Sequence, residues 1–423
     1  MAPRPKTVGE TGLSDQLLQE LLLKHLYDGG TVTVRDLALR LALAGPVIEE
    51  LLGFLRAEAM IEVRAQKEGV IGLRYVLTDR GRKSALDALL KSGYLGPAPV
   101  PLETYCRVCK AQSVHDGGIT RQAMHQAFSD VVINPDLLDQ LGSALNSGRA
   151  IFVYGPAGTG KTYITQRLAR MINDCVLIPH AIEINEAIVQ VFDPVLHEVA
   201  TTADDSNGLL LGQGFDPRFQ SCRRPVVITG GELTADMLEI NYDKDTREYR
   251  APLQLRANNG IFIIDDMGRQ RVAPETILNR WIVPMEEGVD YHSLGSGRHF
   301  STPFDVILVF STNINPLDLA DEAFLRRIGY KIKFDYLPPS TYKAIWQDQC
   351  EERGIAFDPA LVEYAISELH QRNNVDLLPC HPRDLLTIAA DRSFYLNQGT
   401  GLTKDHLVWA WKNYFVELDT PGV

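Results

Sequence analysis

The chain lacks most of the features that would assign it to a specialised class. Six cysteines are scattered over 423 residues, too few for a disulfide framework, so a reduced, cytoplasmic protein is expected. No apolar run approaches the roughly 20 residues of a membrane span, and no apolar segment follows Met1-Ala2-Pro3-Arg4-Pro5-Lys6, so neither membrane insertion nor a secretion leader is expected. An excess of positive charge is also missing. The 42 Lys and Arg stand against 54 Asp and Glu, a net charge of −12, whereas a protein that coats nucleic acid without sequence preference is usually basic. There is no internal repeat and no low-complexity tract. Tryptophan is scarce, and Trp281, Trp346, Trp409 and Trp411 read as packing residues. What remains is an ordinary globular composition, 45% hydrophobic and 23% charged, long enough for two or three cores.

One stretch is far from ordinary. Tyr154-Gly155-Pro156-Ala157-Gly158-Thr159-Gly160-Lys161-Thr162 contains G-x-x-x-x-G-K-T, preceded by apolar Ala150-Ile151-Phe152-Val153 and followed by helix-like Tyr163 to Met171. That is the strand–loop–helix setting a phosphate-binding loop requires. Its glycines let backbone N–H groups turn toward phosphate oxygens, and the helix N-terminus adds its positive dipole end. Residues Gly155 to Tyr163 are the candidate nucleotide-binding set. Lys161 is placed to reach the β- and γ-phosphates, and the Thr162 hydroxyl to ligate Mg²⁺.

A second apolar run, Gly260-Ile261-Phe262-Ile263-Ile264, ends in Asp265-Asp266. A buried strand ending in acids delivers carboxylates to its C-terminal edge. Asp265 is the candidate Mg²⁺ ligand and Asp266 the residue that orients an attacking water. A third run, Val306-Ile307-Leu308-Val309-Phe310, leads into Ser311-Thr312-Asn313, where the Asn313 amide can hydrogen-bond a phosphate or the water. Downstream stand the paired Arg326 and Arg327, then Arg383 near the start of a late helix.

In this order the elements resemble the AAA+ ATPases over about residues 126 to 418. The resemblance implies an α/β core with a parallel sheet flanked by helices, a C-terminal helical lid, and ATP with Mg²⁺ as ligands. Matched position by position, Gly155 to Thr162 correspond to Walker A, Asp265-Asp266 to Walker B and Asn313 to the sensor-1 residue. Arg327 corresponds to the arginine finger, with Arg326 as its rival, and Arg383 to sensor 2. The finger of that family acts on a neighbouring subunit's nucleotide, so a ring or helical homo-oligomer, most often a hexamer, is implied. Many members have Asp-Glu where this chain has Asp-Asp, a shorter second acid that leaves the turnover rate open.

The N-terminal region, residues 1–95, reads as an amphipathic helix through Leu17, Leu18, Leu21 and Leu22, two further helices, a hairpin of Ile61-Glu62-Val63 with Leu73 to Leu77, and a last helix. This succession resembles a winged-helix domain. Its third helix carries Glu49, Glu50 and Glu58 against Arg56 alone, and only Arg64, Lys67 and Arg74 on the wing are basic, which favours protein docking over DNA. Residues 96–125 begin with the proline-rich spacer Gly96 to Pro101 and continue into a helix. The core follows over 126–335 and the lid over 336–423. Cys106-x-x-Cys109, near His115 and His125, lacks the second pair of a zinc site and fits two cysteines on one helix face.

Extra length lies around Val191 to Asn258, with hairpin material at His197-Glu198-Val199-Ala200-Thr201 and a polar loop at Asn241 to Arg247. A second hairpin, Tyr291 to Phe304 around Gly295-Ser296-Gly297, precedes the Asn313 strand, and with Met285-Glu286-Glu287 it resembles MoxR-type ATPases and RuvB. The lead reading is an oligomeric ATPase that remodels or assembles an unidentified protein partner. A DNA-associated motor or loader, and an ATP-gated assembly switch with slow hydrolysis, are the alternatives.

Overall fold

The computed structural model describes residues 2–64, 73–116, 118–172, 174–200, 214–295, 297–397, 399 and 401–415. Lys67, Thr201 and Ser296, placed above in the wing, the early hairpin material and the late hairpin turn, lie outside the described residues. Among those described, no helix is long and apolar enough to cross a membrane.

A five-stranded parallel sheet flanked by helices organises the α/β core. Its strands are β1 (Ile151–Tyr154), β2 (Val226–Thr229), β3 (Gly260–Ile264), β4 (Val306–Thr312) and β5 (Tyr330–Lys333), and they lie in the order β2-β3-β4-β1-β5. β3 and β4 are buried along their whole length, as their unbroken apolar runs require of strands covered on both faces. The strand that leads into the glycine loop therefore does not touch the strand that ends in the acids. β4 separates them, with Phe310 beside Phe152 and Thr312 beside Tyr154 in register.

The described residues fall into two compact units that alternate along the chain. One comprises Met1–Gly117, Ile172–Ile263 and Gln270–Leu308; the other comprises Gly118–Met171, Ile264–Arg269 and Val309–Val423.

In the first unit, helix Asp15–Gly29 is followed by strand Val32–Thr33, helices Val34–Leu41 and Gly45–Ala57, hairpin strands Ile61–Arg64 and Arg74–Leu77, and helix Asp79–Lys91. Ser14 caps the first helix and Thr33 the second through side-chain oxygens that accept backbone N–H groups. Leu18, Leu21, Leu22 and Leu26 recur at helical spacing and are fully buried with Leu37, Ile48, Leu51 and Leu55.

The proline-rich segment that follows is pinned along its length. Lys24 Nζ donates to Ser92 O and Tyr94 O, the Tyr94 hydroxyl donates to Pro97 O, and Ala98 N donates to Leu41 O. Val100–Pro101 then joins a second sheet by pairing in parallel with Ile182 and Glu183. That sheet runs on through Ala181–Ile184, Ala187–Gln190, Glu248–Arg250 and Asn241–Asp243, so the polar loop at 241–247 is an exposed hairpin. Buried Arg218 ties the same region together, pairing with Asp216 and donating to Thr11 O and Pro99 O.

Of the expected hairpin material at 197–201, Glu198 to Ala200 lies antiparallel to Ser221 to Arg223, with Ala200 N donating to Ser221 O and Arg223 N to Glu198 O. Val199 makes an isolated bridge to Cys222, and the buried His197 ring accepts from Asp193 N and lies 2.8 Å from Arg256 O. The later hairpin is present, Val289–Ser293 against His299–Pro303. Cys106 and Cys109 lie on helix Leu102–Ala111, and no group of three or more His, Cys, Asp or Glu side chains able to hold a metal occurs among the described residues.

In the second unit, residues 338 onward form helices Pro339–Arg353, Pro359–Tyr364 continued by Ala365–Gln371, Cys380–Tyr395 and Lys404–Tyr414. They close over Tyr342, Trp346, Leu385, Leu386, Leu407 and Trp411. Trp281, Trp346 and Trp411 are buried as expected of packing residues, but Trp409 is 38% exposed. Its ring carries the Arg392 guanidinium 5.0 Å above its centroid, so a cation–π contact takes the place of core packing.

Candidate functional site

The second unit brings most of the candidate residues into one place. The glycine loop leaves β1 at Tyr154 and enters helix Lys161–Ala169. Its shape depends on glycine at two points. Gly155 has φ +145°, and a Cβ there would lie 1.9 Å from the Phe334 carbonyl oxygen. Gly158 has φ +82°, and a Cβ there would lie 2.6 Å from Cys380 Sγ. The start of helix Cys380–Tyr395 is thus packed directly on the loop, a contact that no sequence signal marks because the residues are far apart in the chain.

Lys161 is nearly buried and folds back over the loop. Its ammonium donates to Gly155 O at 2.9 Å, to Pro156 O at 2.7 Å and to Asn313 Oδ1 at 2.6 Å. Burial lowers the pKa of this ammonium, while Asp265 and Asp266 act in the opposite direction. These bonds occupy an inward-facing cation with loop carbonyls and one side-chain amide, groups that an anion drawn into the loop can replace. Thr159 closes the loop from within, its hydroxyl donating to Pro156 O.

The acids approach from β3. Thr162 Oγ1 donates to Asp265 Oδ2 at 2.7 Å. A hydroxyl and a carboxylate side by side are hard oxygen donors of the kind Mg²⁺ takes, and Mg²⁺ commonly keeps waters and substrate phosphates as its other ligands. The donor set therefore fits that ion. Asp266 has φ +49°, the left-handed region that a residue with a Cβ seldom occupies. Its Oδ1 accepts from Asn313 Nδ2 at 3.3 Å. Asn313 thus spans the site, accepting from Lys161 with one end of its amide and donating toward Asp266 with the other.

Pro156, Ala157 and Gly160 complete the loop, and Tyr163 points outward from the first turn of its helix, 55% exposed, with its hydroxyl accepting from Arg167. Arg326 pairs with Glu322 on helix Glu322–Arg327, and Arg327 donates to Ala323 O at 2.7 Å on the same helix. Neither of these bonds reaches the loop. Arg383 lies one turn into the helix that abuts Gly158 and pairs with its neighbour Asp384 at 2.8 Å.

Comparison with known proteins adds a limited context. Residues 338–413, the C-terminal helices alone, match a family described as a domain of unknown function (DUF8689). No curated protein matches the chain. Among solved structures, the RuvB Holliday junction branch migration motor of Thermotoga maritima is similar over 68% of this chain and 72% of its own, at 12% identity and a TM-score of 0.38. A RuvB mutant gives 12% identity over the same shares with a TM-score of 0.40. NtrX from Brucella abortus, in complex with ADP, is similar over 66% of this chain and 55% of its own, at 14% identity and a TM-score of 0.37. All three likenesses are loose.

Proposed function

We propose that this chain is a Mg²⁺-dependent ATP hydrolase of the AAA+ type. One observation carries the reading. The C-terminal ends of three adjacent parallel strands, β3, β4 and β1, meet in one polar cluster of Asp265, Asp266, Asn313, Lys161 and Thr162. Ligands of open α/β sheets bind outside the carboxyl ends of the strands, and this cluster holds a cation for phosphate, two oxygens for a metal, an acid and an amide.

On binding ATP, Lys161 leaves Gly155 O and Pro156 O for the β- and γ-phosphates, and the loop N–H groups take up the remaining phosphate oxygens. Thr162 and Asp265 would hold Mg²⁺, which when bound neutralises charge on the phosphate oxygens. Asp266 and Asn313 sit where a water attacking the γ-phosphate must be oriented. Catalysis at such a site is mostly positioning and charge stabilisation. Arg383, on the helix against Gly158, is the candidate γ-phosphate contact from the lid. Arg326 and Arg327, at the end of helix Glu322–Arg327, are candidates to reach the nucleotide of a neighbouring copy in a ring or helical oligomer, a hexamer on the family pattern.

We read the N-terminal helices and hairpin as a winged-helix docking module. The exposed face of helix Gly45–Ala57 presents Glu49, Glu50 and a half-exposed Phe54. An acidic, partly apolar face suits a protein partner better than a phosphate backbone. This supports remodelling or assembly of a protein client as the output of the ATPase.

The test is nucleotide titration of the full chain by calorimetry, with particle mass measured in parallel. Wild-type protein should bind ATP with Mg²⁺ and gain mass, Lys161→Ala should lose binding, and Asp266→Asn should hold an ATP-bound assembly. Equal binding by wild type and Lys161→Ala removes the proposal.

A further inference from the structure

The turn that carries Asp266 is held in an unfavourable shape by the strand beside it. Met267 N donates to Ser311 O at 2.8 Å, and the Thr312 hydroxyl donates to Met267 O at 2.7 Å. Both backbone groups of the residue after Asp266 are therefore fixed to the end of β4. The same hydroxyl accepts from Ile314 N at 3.0 Å, so it also fixes the residue after Asn313. Thr312 is fully buried, and Ser311 and Met267 are 1% exposed. The bonds between Met267 and the end of β4 are thus made between buried residues.

We infer that Thr312 is a positioning residue of the ATPase site, a single hydroxyl that sets the acid turn and the Asn313 turn relative to each other. The inference rests on the ATP hydrolase reading above. Asp266 at φ +49° is a strained conformation that persists only where its surroundings over-determine it. Arg269 N, donating to Asp266 O at 3.0 Å, closes the turn locally, but that bond travels with the turn and does not place it. The placement comes from β4. Gly268 adds a steric limit, since at φ +102° its missing Cβ would lie 2.6 Å from Ile314 Cδ1. With the hydroxyl removed, Met267 O and Ile314 N lose a buried partner. The turn can then relax toward an ordinary backbone, and Asp266 and Asn313 drift apart by more than their 3.3 Å contact allows.

The Thr312 hydroxyl bonds to Met267 O and Ile314 N and not to the glycine loop, Thr162 or Asp265, so its loss is expected to act on the chemical step and to leave nucleotide affinity alone. Thr312→Val keeps the shape and deletes the hydroxyl; Thr312→Ser keeps the hydroxyl. In the full chain, Thr312→Val should lower kcat by about tenfold or more, the scale expected when catalytic groups are displaced by less than an ångström or so. Its ATP affinity should stay within about twofold, and Thr312→Ser should restore kcat to near wild type. Amide exchange over residues 264–269, followed by mass spectrometry without nucleotide, should be faster in Thr312→Val and normal in Thr312→Ser. Unchanged kcat and exchange in Thr312→Val overturn the inference. So does Thr312→Ser behaving like Thr312→Val, which would show that the methyl packing matters and the hydroxyl does not. Parallel loss of kcat, ATP affinity and melting temperature would reduce Thr312 to a structural residue and overturn it as well. Absence of hydrolysis by wild type refutes the ATPase reading instead, and the exchange comparison still decides whether the hydroxyl holds the turn.

Discussion

Replacing Gly158 by alanine separates two physical terms at the loop. The first is backbone strain. Gly158 sits at φ +82°, where a Cβ costs about 1–2 kcal/mol. The second is a clash, because the new methyl would lie 2.6 Å from Cys380 Sγ, closer than real side chains come. Leu378 Cδ1, at 3.5 Å, is an ordinary contact and adds nothing. The strain alone lowers the population of the binding-competent loop by about 5- to 30-fold, and the clash lowers it further. ATP affinity of Gly158→Ala, measured by calorimetry, should fall by at least that factor. The double variant Gly158→Ala with Cys380→Ala removes the sulfur, leaving contacts of 3.5 Å and beyond. It should recover the clash part and retain the strain part, while Cys380→Ala alone should bind nearly as wild type. Wild-type affinity in Gly158→Ala would refute the reasoning, since it would mean the loop does not bind nucleotide in this shape. Full recovery in the double variant would show that strain plays no part.

Two further perturbations act on stability. Asp290 is 2% exposed and its charge is met by Arg280 at 2.6 Å, with Gln254 at 3.1 Å and His292 at 3.4 Å; Arg280→Ala should cost about 3–5 kcal/mol by leaving a buried carboxylate without its cation, and adding Asp290→Asn should recover much of it in urea unfolding, whereas an Arg280→Ala cost under about 1 kcal/mol would contradict this. In the C-terminal helices, burial holds the neighbouring His370 and His381 imidazoles, whose ring centroids are 5.0 Å apart, at a pKa of about 4. The fold keeps them neutral, so the unfolded chain takes up protons first as pH drops below about 6.5. Their contribution is present above that pH and is lost on the way down to about 4. Melting temperature should fall over this window, and less steeply in His381→Phe, which removes one titrating ring whose Nδ1 is buried without a hydrogen-bond partner. An equally steep fall in the variant would count against these rings as the cause.

The sequence made the glycine loop legible because phosphate binding needs a contiguous string of residue types, and Gly155 to Thr162 supply it without any partner elsewhere. Asp265 and Asn313 were visible as the ends of apolar runs, since a strand buried on both faces leaves a long unbroken signature. That Asn313 lies between Lys161 and Asp266 was not visible, because it depends on β4 entering the sheet between β1 and β3. Strand order is a long-range property that periodicity does not encode. The same limit explains the spacer: Gly96 to Pro101 has the composition of a free linker, yet Val100–Pro101 pairs with a strand some eighty residues on. It also explains Trp409, whose helix position says nothing about the Arg392 above its ring, and Thr312, whose hydroxyl acquires meaning only beside Met267. The burial of the His197 ring between Asp193 and Arg256 was equally invisible, since nothing local marks either contact.

Steady-state phosphate release by the 423-residue chain, with ATP and Mg²⁺, set beside Asp266→Asn, tests the central claim most directly. The account predicts Mg²⁺-dependent release by wild type, abolished by chelation, and at least about a hundredfold slower in Asp266→Asn with ATP still bound. No release by wild type, or equal release by the two proteins, would contradict it.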